Sequence, residues 1–291
     1  MPAPPTDDAI LLGDNLELLP SFADGSFALV YADPPFNTGR TQRRTTLETV
    51  ADPDGDRGGF GGRRYRTRLL GEESYDDSFA DYPAFLEPRL RELHRVLGET
   101  GTLYLHLDYR EAHRAKVLLD EIFGRDCFLN EIVWAYDYGA RPKRRWPAKH
   151  DTILVYVKDP DGYWFDAAEV EREPYMAPGL VTAEKAARGK LPTDVWWHTI
   201  VSPTGREKTG YPTQKPEGIV RRMVLASTRP GEWCLDPFAG SGTLGAVAAE
   251  AGRHYVLIDT NPAAVRVMHD RLANVQKAHI SSRDAATFPT V

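Results

Sequence analysis

The sequence predicts a doubly wound α/β fold on a mainly parallel sheet, and three observations carry that expectation. Short apolar runs recur along most of the chain, with helical apolar periods between them. Most of these runs are apolar at every position rather than at every second one, as in strands covered by helices on both faces. Finally, the Gly-rich turn GSGTLG at 240–245 stands between a strand-like run and an apolar helix, the layout of a βαβ unit whose helix N-terminus faces a ligand.

Taken in order, the strand-like runs are 9–13 (AILLG), 27–32 (FALVYA), 102–107 (TLYLHL), 131–136 (EIVWAY), 152–158 (TILVYVK), 233–235 (WCL) and 254–258 (HYVLI). Helical periods occupy 82–97, 110–123, 217–228, 243–251 and 262–276. Two segments break the rhythm. Residues 38–78 are rich in Gly and Arg and read as a mobile basic insertion. Residues 159–212 combine Pro and Gly with bulky aromatics (DGYWF, DVWWH) and are long enough for a small inserted subdomain. The expected organisation is a catalytic domain of 1–158 and 213–291, interrupted by a region at 159–212.

Bulk properties narrow the class. A chain of 291 residues, 42% hydrophobic and 27% charged, has the composition of a globular protein with a sizeable core. No apolar run approaches the roughly 18 residues of a membrane span, and the acidic start MPAPPTDDAI lacks the features of a signal peptide. A cytoplasmic location is the expectation. Cys127 and Cys234 form no redox or metal pattern, and the eight histidines show no helical ligand pair, so no metal site is expected. The net charge of −6 argues against a protein that coats nucleic acid non-specifically. Locally the balance reverses: residues 40–68 hold eight arginines against four acids, and RPKRRW fills 141–146. Arg63, Arg64, Arg66, Arg144 and Arg145, with aromatics interleaved, are candidate phosphate contacts.

The stretch YADPPFNTG ends a buried strand in a carboxylate, two prolines and a ring, more than a turn requires. Asp33 and the carbonyl of Pro34 can together accept both hydrogens of an exocyclic amine, Asp33 through the stronger charge-assisted bond. Pro34 and Pro35 set the backbone direction and remove competing N–H donors. Phe36 offers a face for a planar base. The group reads as a clamp for an aromatic amine.

Around GSGTLG, the spacing to Asp259 at the end of the next strand suits an acid meeting ribose hydroxyls. The preceding Asp236 places a carboxylate where a dinucleotide would need its phosphates to lie. That arrangement disfavours NAD and favours a ligand carrying an amine and a sulfonium, S-adenosylmethionine. If Asp33 and Asp236 end adjacent strands, the amine clamp faces the methyl donor.

At this point the sequence resembles the amino-methylating DNA methyltransferases, in their β group. DPPFNTG, YPTQKPEGIVRRMVLAS and LDPFAGSGT match family motifs in that order; LLGDNLELL, NEIVW and HDTILVYVKD are similar to its other core segments. The resemblance implies a seven-stranded, circularly permuted sheet with the two cofactor strands last. It also implies that Asp236, Phe238, Gly240, Ser241 and Gly242 surround the cofactor, with Asp259 at its ribose and Asp14 on its adenine side. Thr213 and Lys215 would meet its methionine end, and 159–212 would be the target-recognition region. Its substrate would be double-stranded DNA with the target base flipped out. A homodimer, or a cognate restriction endonuclease encoded separately, would suit the family. An Asp before Pro-Pro accompanies adenine-N6 more often than cytosine-N4 specificity. An N4-cytosine enzyme is therefore the alternative within the family. An RNA methyltransferase or NAD-dependent oxidoreductase lies further off, since the latter leaves DPPF and TQKP idle.

Overall fold

The computed structural model describes residues 1–51, 57–58, 64–77, 79–139, 141–202 and 205–285, with 40–51, 57–58, 65–77 and 276–285 as backbone only. Along the chain the elements are β1 (Ala9–Leu12), α1 (Asn15–Leu18), β2 (Phe27–Ala32), β3 (Arg40–Ala51), β4 (Arg57–Gly58), β5 (Arg64–Asp77), α2 (Tyr82–Val96), β6 (Leu97–Leu107) and α3 (Ala112–Phe123). They continue with β7 (Phe128–Ala135), β8 (His150–Val157), α4 (Ala183–Arg188), β9 (Val195–Trp197), α5 (Glu217–Ser227), β10 (Trp233–Asp236), α6 (Thr243–Glu250), β11 (His254–Asp259) and α7 (Pro262–Ala285). The chain divides into two compact units, Met1–Pro34 with Pro83–Val291, and Pro35–Tyr82.

The first unit holds one eight-stranded sheet in the order β1-β11-β10-β2-β6-β8-β7-β9. Every pairing is parallel except those of β8, which runs against both β6 and β7. The expected count of seven is corrected to eight. Val195–Trp197 adds a parallel edge strand to β7, and three residues are too few to show a period in the sequence. Trp196 anchors this edge: its ring is buried and its indole N–H donates to the Thr193 carbonyl at 2.7 Å. Residues 159–212 thus contribute a strand to the main sheet and belong to the first unit throughout.

The two faces of the sheet are covered by different helices. Leu29, Tyr31, Tyr104, Ile153, Val155 and Leu257 share a core with Ile219 and Val224 of α5, Leu244 and Val247 of α6, and Met268 of α7. The alternate residues Val30, Leu103, Leu105 and Leu154 point the other way and are equally buried. On that side Phe123 of α3 packs on Tyr156 of β8 and edge-on against His94 of α2. Burial on both faces is what the unbroken apolar runs required.

Chain direction changes between β10 and β2. From β10 the chain proceeds to β11 on one side; from β2 it proceeds to β6 on the other. A crevice therefore opens at their carboxyl ends. Register sets its depth: Leu235 lies beside Val30 and Asp236 beside Leu257, while Asp259 lies beside Leu12. Asp236 is one row deeper than Asp33 and Asp259.

The second unit carries a three-stranded antiparallel sheet in the order β3-β5-β4, with Arg40 opposite Asp77 and Ala51 opposite Tyr65. The reading of 38–78 as a mobile insertion did not anticipate these strands, because its glycines and arginines mask the alternation. Near the base of this unit the Asn37 side chain accepts the Phe79 N–H at 2.9 Å, and the Tyr82 hydroxyl donates to the Pro35 carbonyl at 2.8 Å. Among the described residues no helix is long and apolar enough to cross a membrane.

Candidate active site

Most aspartates at element ends in this protein close on themselves. Asp14, Asp108, Asp236 and Asp259 each accept the backbone N–H two residues on, from Leu16, Arg110, Phe238 and Asn261, at 2.8–3.0 Å. This is the Asx turn, the usual resting geometry of such a side chain. Asp33 cannot make it. The residue two positions on is Pro35, which has no N–H. Instead Oδ2 of Asp33 pairs with Nζ of Lys215, both side chains being largely buried. Oδ1 is buried and has no hydrogen-bond partner among the described residues. A buried carboxylate oxygen left without a donor is costly, and such an oxygen at a strand end marks a place built to receive one.

The neighbours of Asp33 were partly foreseen. Asp236 lies at the end of the adjacent strand, 3% exposed, as the clamp argument required. Burial holds its carboxyl well above the usual carboxylate range. The Phe238 N–H and the Lys215 ammonium oppose this, while the charges of Asp33 and Asp259 add to it. Asp259 is also raised, again chiefly by burial, against three backbone N–H bonds from Asn261, Gly240 and Thr260. Its Oδ2 accepts the Gly240 N–H at 2.8 Å, so this acid ties the Gly-rich turn to the end of β11. Gly240 and Gly242 take left-handed φ values of 50° and 71°. A Cβ on Gly242 would also lie 2.8 Å from Met268 Cγ, so the turn requires glycine there.

The remaining expected residues fall around this crevice in different ways. Ser241 is buried, and its carbonyl accepts from Arg271, which also reaches Thr243 and Glu217. The Lys215 carbonyl accepts from Thr243 at 3.1 Å, fixing the TQKP segment to the start of α6. Thr213 is exposed in the turn before it. Asp14 caps α1 and forms a two-point ion pair with Arg89 at 2.9 and 3.0 Å. The same guanidinium stacks on Phe85, which in turn lies 6.3 Å from the Phe238 ring. Pro34 is buried at the end of the first unit; Pro35 and the half-buried Phe36 open the second. Among the basic candidates, Arg144 and Arg145 are exposed between β7 and β8, and Arg64 is exposed at the start of β5. Arg63 and the side chain of Arg66 lie outside the described residues.

Sequence reasoning missed a buried polar chain behind Asp33. The Tyr31 hydroxyl meets Nδ1 of His106 at 2.9 Å, Nε2 of His106 meets Asp151 at 3.3 Å, and the Tyr136 hydroxyl donates to Asp151 at 3.0 Å. Burial, then the charges of Asp33, Asp236 and Asp151, raise the Tyr31 phenol well above its ordinary value. Burial also opposes the Asp151 charge, but the His106 bond and charge, with Lys215 and Tyr136, hold its pKa below normal. The signal existed: His106 and Asp151 are polar residues inside or beside otherwise apolar strand runs, and buried polar groups need partners.

A switch-point crevice with an unsatisfied carboxylate on one strand end and an acid–glycine turn on the next defines a group-transfer enzyme of the methyltransferase class. A family model described as DNA methylase, that of the N6/N4 methyltransferases, matches residues 27–270, and the chain belongs to this family. It is 31% identical over 271 residues to the DNA adenine methyltransferase YhdJ of Escherichia coli K12, covering 90% of this chain and 82% of that one. In structure it is similar to the cytosine-N4-specific PvuII DNA methyltransferase, with a TM-score of 0.64 at 17% identity over 92% of this chain and 87% of that one. It is also similar to a DNA modification methylase of Thermus thermophilus, solved in complex with S-adenosyl-L-methionine. The TM-score there is 0.56 at 21% identity, over 91% of this chain and 95% of that one.

Proposed function

We propose that this DNA methyltransferase transfers the methyl group of S-adenosyl-L-methionine to N6 of adenine in duplex DNA. The observation that carries the reading is Asp33: one oxygen held by Lys215, the other buried and without a donor.

The crevice suits the cofactor by charge. Asp236 and Asp259 sit beside it with raised pKa values, an environment that relaxes when a cation arrives and that repels a pyrophosphate. Phe238, Gly240, Ser241 and Gly242 would line the cofactor, Asp259 would take the ribose and Asp14 the adenine side. Thr213 and Lys215 would lie at its methionine end. When bound, the sulfonium supplies an electrophilic methyl group.

The protein's part is to prepare the acceptor. Ring conjugation withdraws the lone pair of an exocyclic amine, so that nitrogen must pyramidalise as the new C–N bond forms. Asp33 Oδ1 and the Pro34 carbonyl accept its two hydrogens and favour that geometry where positive charge develops, a preorganised electrostatic effect. No base is needed before transfer, since the proton leaves afterwards from the cationic product amine. Phe36 would stack on the extruded base. Residues 159–212 would read the target, and Arg63, Arg64, Arg66, Arg144 and Arg145 would follow the phosphates.

Both adenine and cytosine offer such an amine. Adenine is supported by the Asp at the head of the DPPF motif and by the relative named as an adenine methyltransferase. DNA incubated with enzyme and labelled cofactor, digested to nucleosides and separated by mass, should yield N6-methyladenine. A predominance of N4-methylcytosine would overturn the assignment of the base.

A further inference from the structure

The segment between β7 and β8, residues 136–149, lies at the same end of the sheet as Asp33. Leu107 at the end of β6 pairs with Thr152, and Ala135 at the end of β7 pairs with His150, so this connection rises from the carboxyl edge. Its base is closed. The Tyr136 N–H donates to the Lys149 carbonyl at 2.9 Å, and Lys149 Nζ donates to the carbonyls of Tyr138 and Gly139 at 2.5 and 2.8 Å. One flank is tied to the loop after β6, where Arg145 donates to the Tyr109 hydroxyl at 3.4 Å. From this pinned base projects Trp146, its ring 94% exposed and followed by Pro147. The stretch 141–149 carries Arg141, Lys143, Arg144, Arg145 and Lys149 and no acid, on a chain of net charge −6.

Leaving an indole in water forfeits one of the largest apolar burials a side chain can make. A second copy of the chain is a poor cover for it, since a two-fold contact would oppose the same five cations. A polyanion with stacked planar rings matches both properties at once: cations for its phosphates, an aromatic plate for its bases. We propose that Trp146 is the wedge of this enzyme, entering the duplex beside the target and stacking where the extruded base had been. Arg144 and Lys143 hold the flanking phosphates. Extrusion opens a gap in the stack, and a rigid apolar side chain inserted there offsets the lost stacking. The inference rests on membership of the DNA methylase family and is independent of which base is modified.

The test compares two substrates, once the target site has been mapped from the modified positions of plasmid DNA treated with the enzyme. One is the fully paired duplex; the other carries a mismatch opposite the target base, which is then already loosened. Trp146→Ala should lower the methyl-transfer rate on the paired duplex by about tenfold to a hundredfold, the scale of one base–aromatic stack. It should leave the mismatched substrate close to the wild-type rate, and Trp146→Phe should retain most activity on both. With so exposed a side chain the melting temperature should not move. No loss on the paired duplex, or an equal loss on both substrates, would overturn the proposal. The wild-type rate in the same assay reports separately on the methyltransferase reading.

Discussion

Two adjacent strands of this sheet end in nearly the same words, Asp33-Pro-Pro-Phe and Asp236-Pro-Phe, and the two carboxylates are used in opposite ways. Asp236 accepts the N–H of Phe238 at 3.0 Å and sinks to 3% exposure, a self-contained turn at the base of the crevice. Asp33 has Pro35 where Phe238 stands in the other turn, so the local donor is missing. Its charge is balanced by Lys215, 182 residues away in sequence, and one oxygen stays open. The difference is a single N–H. It teaches that the second proline acts by subtraction: it keeps a carboxylate from spending itself on its own backbone, so that a substrate amine can be the donor.

The harshest way to break the comparison is to remove the open carboxylate. Asp33→Ala should lower the methyl-transfer rate by about a hundredfold to a thousandfold or more, the range for losing a preorganised electrostatic partner. It also strands Lys215 in a largely buried position, and breaking a buried pair from one side costs about 3–5 kcal/mol. The double variant Asp33→Ala with Lys215→Met separates these effects. Calorimetry should show stability returning, while single-turnover assays show activity still absent. Recovery of activity in the double variant would mean that Asp33 serves only to neutralise Lys215.

How much of this was legible beforehand follows from where each signal lies. Both Asp-Pro turns, the Gly-rich turn and Asp259 are local patterns, and β2, β10 and β11 lie close to their expected positions because continuous apolar runs announce buried strands. The pairing of Lys215 with Asp33 was not legible, since the TQKP lysine was expected at the cofactor and sequence spacing says nothing of a partner 182 residues off. The same holds for the chain from Tyr31 through His106 to Asp151, whose members come from three strands. The strand Val195–Trp197 escaped because it is short and owes its shape to β7, a tertiary override of weak local preference.

A gentler intervention exchanges the two turns. Pro35→Ala restores an N–H two residues after Asp33, and the side chain can then close the Asx turn that Asp236 makes. The rate of methyl transfer should fall by about tenfold to a hundredfold, equivalent to the roughly 1.5–3 kcal/mol of a hydrogen bond to a charged group. Thermal stability should hardly change. The converse, Phe238→Pro, takes the donor from Asp236. It should lower the melting temperature through a loss of about 1–3 kcal/mol for an unsatisfied buried group and weaken cofactor binding. If Pro35→Ala left the rate untouched, the subtractive role of the second proline would be wrong, and its rigidity would be the remaining explanation.

The smallest effect expected is on stability against pH, and its sign is the informative part. Burial, together with the charges of Asp33 and Asp259, holds the Asp236 carboxyl well above its usual range, despite the Phe238 N–H and Lys215. Between the ordinary carboxylate pKa and the raised one, the folded chain binds the proton more often than the unfolded chain does. Stability therefore falls as pH rises through that window. Below the ordinary value both states are protonated and the penalty vanishes; above the raised value it is fully present. Asp236→Asn removes the titration, so the variant should melt a few degrees higher than the wild type at neutral pH, with the gap closing towards acid pH. The same substitution should weaken S-adenosylmethionine binding, because a cationic ligand favours the ionised carboxylate. In the wild type, ligand uptake should then release protons, detectable by titration calorimetry in buffers of different ionisation enthalpy, and the variant should release fewer. A variant less stable than the wild type at every pH would show that Asp236 is an ionised, well-compensated group, and that the two turns differ less than their geometry indicates.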